Sequence, residues 1–304
     1  MSYVGPDFDP PQPRRSRRGP LTVALAALVP GALIGWFVYE AVGGPGDSGS
    51  AAAGASAAAP GASSSPSVTA SNDDKPPNSR PLTGKVVVID PGHNITNFQH
   101  TAEINRKVDI GTNWKECDTT GTSTNAGYAE AQFTMDVSHR LRKILERQGA
   151  TVKLTHDGGS PAWGPCVDQR AKIGNDAHAD AAISIHADGA PAGDRGFHVI
   201  LPGSVHAGGA DNRAIVAPSA VLGRDIEGDY RRATGEEPAN YVGDGTGLVT
   251  RKDLGGLNLS TVPKVFIECG NMRDSKDAAL LTNGAWRQAA AQGISEGIVS
   301  FLRG

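Results

Sequence analysis

Three apolar, β-branched stretches run into side chains that can bind a metal ion or carry a proton. KVVVID (85–90) leads through Pro91 and Gly92 to His93, AAISIH (181–186) ends at His186, and KVFIE (264–268) ends at Glu268. In open α/β sheets, sites form beyond the carboxyl ends of strands, so three such endings suggest one shared site. Glu130 is the fourth candidate. Offsets of three and seven residues place it over Phe133 and Val137, on the inward stripe of a helix. A carboxylate pointing inward needs a partner. It can cap its own helix, where the N-terminal dipole favours it, or it can bind a metal. Two neutral imidazoles and one carboxylate make a common three-ligand zinc set with a fourth position for water. Here that set is His93, Glu130 and His186. Glu268 is then left to act as general base toward the water and general acid toward a leaving amine. Each residue has a plainer reading alone: His93 as an exposed turn residue, His186 as a satisfied core histidine, Glu268 as a salt-bridged strand carboxylate. Only the joint pattern favours chemistry. The remaining histidines lack such company, although His198 alternates with Phe197 and Val199 and is a candidate lining residue.

The elements that must position these groups alternate between strand and helix. Residues 129–148 carry Phe133, Val137, Leu141, Ile144 and Leu145 on one helical face and stop at Gly149. Strands are expected at 85–90, 151–156, 181–187, 196–203 and 264–270. Helices are expected at 166–179, 212–233, 275–282 and 285–302. This order predicts an α/β fold: one catalytic domain, residues 83–304, with a twisted, mostly parallel but mixed sheet flanked by helices.

Ahead of that domain the composition changes. Residues 21–39 form an uncharged, mostly apolar run of about 29 Å if helical, close to a bilayer's hydrocarbon thickness. Arg14, Arg15, Arg17 and Arg18 precede it, and no Lys or Arg follows until Lys75. The asymmetry predicts a cytoplasmic basic tail (1–20), a signal-anchor (21–39) and an exported remainder. Ala41-Val42-Gly43 leaves cleavage, and hence secretion, open. The Ala/Gly/Ser/Pro-rich 40–82 segment reads as a disordered linker. The expectation is a single-pass membrane protein with an extracytoplasmic, monomeric catalytic domain in the periplasm or cell wall. A net charge of −3 over 304 residues offers no basic field for nucleic acid. Of the three cysteines, Cys117 and Cys166 lie in loop-like sequence and are expected to form a disulfide. Cys269 lies within a strand pattern, with its side chain opposite Glu268, and is expected to be buried. That placement disfavours a cysteine nucleophile.

VVVIDPGHN, the helix-starting Glu130, RAKIGNDAHADAAISIHADG and VPKVFIECGNMRD together resemble the zinc-dependent N-acetylmuramoyl-L-alanine amidases of bacterial cell-wall turnover, in particular the small mycobacterial and actinobacterial type. The resemblance runs from Lys85 to Leu302. It implies zinc on His93, Glu130 and His186, catalysis by Glu268, and a peptidoglycan substrate cut between the lactyl group of N-acetylmuramic acid and L-alanine. Asp188 stands where the family usually has Asn, and Cys269 where it has an aliphatic residue. Residues 94–128, holding Cys117, form a long insertion expected to line or gate the site. Another zinc peptidoglycan peptidase remains an alternative, since the same chemistry cuts other amides. So does a non-catalytic, membrane-tethered wall-binding module.

Overall fold

A computed structural model describes residues 80–304. The basic tail, the 21–39 segment and nearly all of the 40–82 linker lie outside the described residues. Among the described residues, no helix is long and apolar enough to cross a membrane. In chain order the elements are β1 (Val86–Pro91), α1 (Thr101–Ile104), β2 (Lys107–Asp109), β3 (Trp114–Glu116), α2 (Glu130–Arg147), β4 (Thr151–Leu154), α3 (Val167–Asp176), β5 (Ala181–Asp188), β6 (His198–Pro202), β7 (His206–Ala207), β8 (Ala210–Asp211), α4 (Arg213–Thr234), β9 (Leu248–Arg251), α5 (Gly255–Asn258), β10 (Lys264–Asn271), α6 (Ser275–Leu281) and α7 (Gly284–Arg303).

Six strands form the central sheet in the order β4-β1-β5-β10-β6-β9. β4, β1, β5 and β10 run parallel. β6 runs antiparallel to β10, and β9 follows β6 in parallel. The sheet is therefore mixed and mostly parallel. Strand alternation sorts its faces. Val87, Ile89, Ile183, Ile185, Val265, Ile267 and Cys269 turn to one side and make the core with α2, α4 and α7. The inward stripe of α2 is Phe133, Val137, Leu141, Ile144 and Leu145, all buried. Glycine lets α7 approach α4: a Cβ at Gly297 would lie 2.5 Å from the Ile226 Cα, nearer than any side chain tolerates.

The opposite face, carrying Asp90, Ser184 and Lys264, is also buried, although all three side chains are polar. Side chains of α3 and the glycines of α5 close over it.

The 94–128 insertion folds as α1 followed by the β2–β3 hairpin, in which Lys107 faces Glu116 and Asp109 faces Trp114. A Cys117–Cys166 disulfide ties the end of the hairpin to the start of α3. The hairpin is also held from the other side. Asn258 donates to the carbonyls of Ile110 (3.2 Å) and Lys252 (2.8 Å). Several short elements went unread in the sequence: α1, β7, β8, β9 and α5. None is longer than four residues, and β9 and α5 lie in the glycine-rich 243–258 stretch. The strand expected at 151–156 stops at Leu154, because Thr155 and His156 turn their side chains to Asp90 and to the Pro91 carbonyl.

Candidate metal centre

His93, Glu130 and His186 converge. Each offers one ligand atom, and these atoms all lie within 4.8 Å of one another. Glu130 opens α2 and is 4% exposed. Its carboxylate does not cap its helix. Oε2 lies 3.1 Å from His93 Nε2 and accepts from Thr122 N at 2.9 Å. Oε1 lies 3.0 Å from His186 Nδ1 and 3.3 Å from Ala187 N.

The hydrogen bonds behind each ring fix which nitrogen faces the cluster. His93 Nδ1 lies 3.1 Å from the Thr119 carbonyl, an acceptor only, so this nitrogen carries the hydrogen. Ser184 Oγ spends its single proton on Asp90 Oδ2 at 2.9 Å, so at 3.2 Å it accepts from His186 Nε2. Nε2 of His93 and Nδ1 of His186 therefore point lone pairs at a carboxylate. Such a set is repulsive without a cation in its midst, and two imidazoles with one carboxylate suit zinc. Without an ion, a proton takes that place. Burial works against charging His93, yet Glu130 and Asp118 outweigh it and lift its pKa to about 10. Burial also works against ionising Glu130, but the two imidazoles hold it well below the usual carboxylate range.

Glycine is required where the rings pass closest to backbone. A Cβ at Gly92 would come within 2.5 Å of His186 Cε1 and Nδ1 and 2.7 Å of the Ile185 carbonyl. One residue on, His93 takes φ +61, a conformation few side chains adopt. Its carbonyl is held there by Arg170 at 3.1 Å. Phe266 stacks on the His186 ring, with centroids 5.3 Å apart and planes 3° from parallel.

Behind the histidines lies a buried ionic network. Arg170, on α3, commits every N–H it has. It donates to the carbonyls of Pro165 (2.8 Å), Pro91 (2.6 Å) and His93, to Asp90 Oδ1 (2.8 Å) and to Asp118 Oδ2 (2.8 Å). Lys264, at the start of β10, reaches Asp90 Oδ2 at 3.1 Å and is 2% exposed. Asp118 lies 3.5 Å from His93 Nδ1. Burial opposes ionisation of Asp90 and Asp118, but Lys264 and Arg170 keep Asp90, and Arg170 and His93 keep Asp118, far below their ordinary values.

Glu268 stands opposite His186 in the β5–β10 register, its side chain on the Lys264–Phe266 side of the strand. With the three cluster residues it lines a cavity of about 300 Å³, which Asp188 and Arg251 also border. Burial, and then the Glu130 and Asp188 carboxylates, push its pKa well above the usual range. Asp188 accepts from Tyr241 OH at 2.8 Å and from Gly189 N at 2.6 Å. A second hollow of about 240 Å³ adjoins the first at His93, His186, Leu254 and Phe266 and runs toward Asp118 and Lys115.

The four residues singled out in the sequence thus share one cavity. His198 does not line it. His198 is buried across the β6–β10 pair from Glu268, edge-on to Tyr241 at 5.9 Å. Cys269 is a free, buried thiol on the core face, and burial pushes its pKa up. That excludes it as an activated nucleophile. Sequence reasoning passed over Asp118, Thr119, Arg170, Ser184, Lys264 and Arg251.

Known proteins share both sequence and fold. The family profile described as N-acetylmuramoyl-L-alanine amidase matches residues 87–300. An N-acetylmuramoyl-L-alanine amidase of Mycobacterium tuberculosis is 41% identical over 222 residues, 73% of this chain and 88% of that protein. The crystal structure of an N-acetylmuramyl-L-alanine amidase from Mycobacterium smegmatis is 39% identical with a TM-score of 0.67, covering 73% of this chain and 98% of that one. The apo form of the Mycobacterium abscessus enzyme gives 39% and 0.66, covering 73% and 100%. An amidase structure from Clostridium difficile 630, at 19% identity and a TM-score of 0.53 over 72% of this chain and 96% of that one, shares the fold.

Proposed function

Because this chain belongs to the N-acetylmuramoyl-L-alanine amidase family, we propose that His93, Glu130 and His186 hold a zinc ion and that Glu268 is its proton carrier. The reaction is hydrolysis of the amide between the lactyl group of N-acetylmuramic acid and L-alanine of the peptidoglycan stem peptide. The observation that supports the assignment is the convergence of one carboxylate and two oriented imidazole lone pairs within 4.8 Å, in the cavity that Glu268 also lines. Bound zinc supplies a Lewis acid that lowers the pKa of its water and polarises the scissile carbonyl.

The chain's own residues do the rest. Thr119 and Ser184 fix the two imidazole tautomers, Arg170 holds the His93 carbonyl in its unusual backbone conformation, and Asp118 faces the His93 ring at Nδ1. Glu268 takes a proton from the attacking water as the C–O bond forms, then passes it to the nitrogen as the C–N bond breaks. A free L-alanyl amine and a lactyl carboxylate result. The action is extracytoplasmic, on the wall. On sequence alone, residues 21–39 hold the catalytic domain at the membrane and the linker expected at 40–82 gives it reach, short of its last residue Leu82, which is buried in the core.

Digestion of purified peptidoglycan tests the reading. Mass spectrometry should find intact stem peptides freed from glycan, and a chelator should stop their release. Glu268→Gln should keep its zinc while losing about 10²–10⁴-fold in turnover. Full activity in that variant would overturn the role given to Glu268. Products cut within the peptide would overturn the amide assigned.

A further inference from the structure

We propose that Arg251 is a specificity-determining residue which binds a carboxylate of the stem peptide close to the scissile amide. The inference rests on the role of Glu268 given above, because that role orients the substrate. The leaving nitrogen must lie at Glu268 to receive its proton, and the peptide continues from that nitrogen. The peptide therefore leaves along the hollow bordered by Glu268, Asp188 and Arg251. The glycan side takes the adjoining hollow toward Asp118 and Lys115.

Arg251 ends β9, and its guanidinium is already fixed. Nε donates to Asp253 Oδ1 at 2.9 Å and NH2 to Asp253 Oδ2 at 2.6 Å. Lys115 Nζ reaches the same Oδ2 at 3.4 Å. The NH1 nitrogen makes no hydrogen bond within the described residues, so two donors remain on a pre-oriented fork. The fork is only partly shielded, its side chain 39% exposed. Outside the His93–Glu130–His186 cluster, the other ionic groups of this hollow, Glu268 and Asp188, are carboxylates, and Asp188 is occupied by Tyr241 and Gly189 N. Arg251 also lies near enough to Glu268 and Asp188 to feel both charges. An anionic group on the peptide therefore finds its matching donor at Arg251. Its planar fork suits a carboxylate better than a carboxamide, which offers one acceptor and no charge.

The test is a matched pair of muramoyl dipeptides whose second residue carries either a free α-carboxylate or its carboxamide. For the wild type, kcat/KM should favour the acid by about tenfold, the size of one charge-assisted hydrogen bond, mostly through KM. Arg251→Gln should bring the ratio close to one, and Arg251→Lys should restore part of it. By calorimetry, the freed acidic dipeptide should bind Arg251→Gln about tenfold more weakly than the wild type. Should Arg251→Gln fail to fold, Asp253→Asn frees the guanidinium without removing it and should cut the ratio by about threefold.

A wild type indifferent to the carboxylate, or an Arg251→Gln enzyme that keeps the preference, overturns the proposal. So does an equal loss of kcat on both substrates, which would put Arg251 at the reacting carbonyl instead. Failure of the underlying reading looks different: Glu268→Gln would stay active, whatever the ratio.

Discussion

Replacing Arg170 with Met should damage stability and zinc affinity together. Asp90 keeps Lys264, Thr155 and Ser184, and Asp118 keeps Asn97 and Thr119 N. Neither carboxylate is stranded, so the cost sits toward the lower end of the roughly 3–5 kcal/mol seen when a buried ion pair loses one member. The Pro165 and His93 carbonyls lose a donor as well, at about 1 kcal/mol each. A total near 5 kcal/mol is a large part of an ordinary domain stability of about 5–15 kcal/mol. Urea unfolding of the metal-free protein would measure it. Because Arg170 also fixes the His93 carbonyl and orients Asp118, zinc affinity by competition with a chromophoric chelator should fall about 10–100-fold, the usual effect of losing such support. Lys264→Met is the control. It strips one partner from Asp90 but touches nothing on His93, so stability should fall while zinc affinity stays within about threefold. Loss below about 1 kcal/mol in Arg170→Met, or equal zinc affinities in the two variants, would refute the reasoning.

Gly92→Ala should lower zinc content, read by elemental analysis, because its Cβ would sit 2.5 Å from the His186 ring and 2.7 Å from backbone. Full zinc loading would show that the backbone yields there. Cys117→Ser opens a loop spanning 49 residues, and the chain-entropy estimate puts the loss at about 4 kcal/mol. Wild type and variant should unfold alike once reductant is added. Asp90 is held well below its ordinary 3.8, so the stability it gives is present above that pH and fades as pH falls through the folded value. The difference in urea midpoint between wild type and Asp90→Asn should be flat from about pH 7 to 5 and shrink below about pH 4; growth at low pH would contradict this.

Much of the fold could be read locally. β-branched runs marked β1, β5 and β10, and the Phe133-to-Leu145 stripe marked α2, because a 3.6-residue period needs no partner to be seen. The four chemical residues were legible for a related reason: apolar strands that end in His or Glu break their own pattern. What could not be read depends on distant partners. Lys264 looks like a cation flanking a strand, yet it is buried against Asp90, 174 positions away. Arg170 looks like the polar side of α3, and nothing near it in sequence discloses five acceptors. Arg251 and Asp253 were missed because β9 is short and set among glycines, where no period can accumulate.

β10 is a strand whose composition can drift more easily than its length. Val265, Ile267 and Cys269 are oil for one side; Lys264, Phe266 and Glu268 are chemistry for the other. Substitution can adjust either set separately. A one-residue insertion or deletion near Phe266 would exchange the two, sending a carboxylate into the helices and a thiol into the cavity. Libraries built on this scaffold should therefore vary letters in this segment and leave its spacing alone.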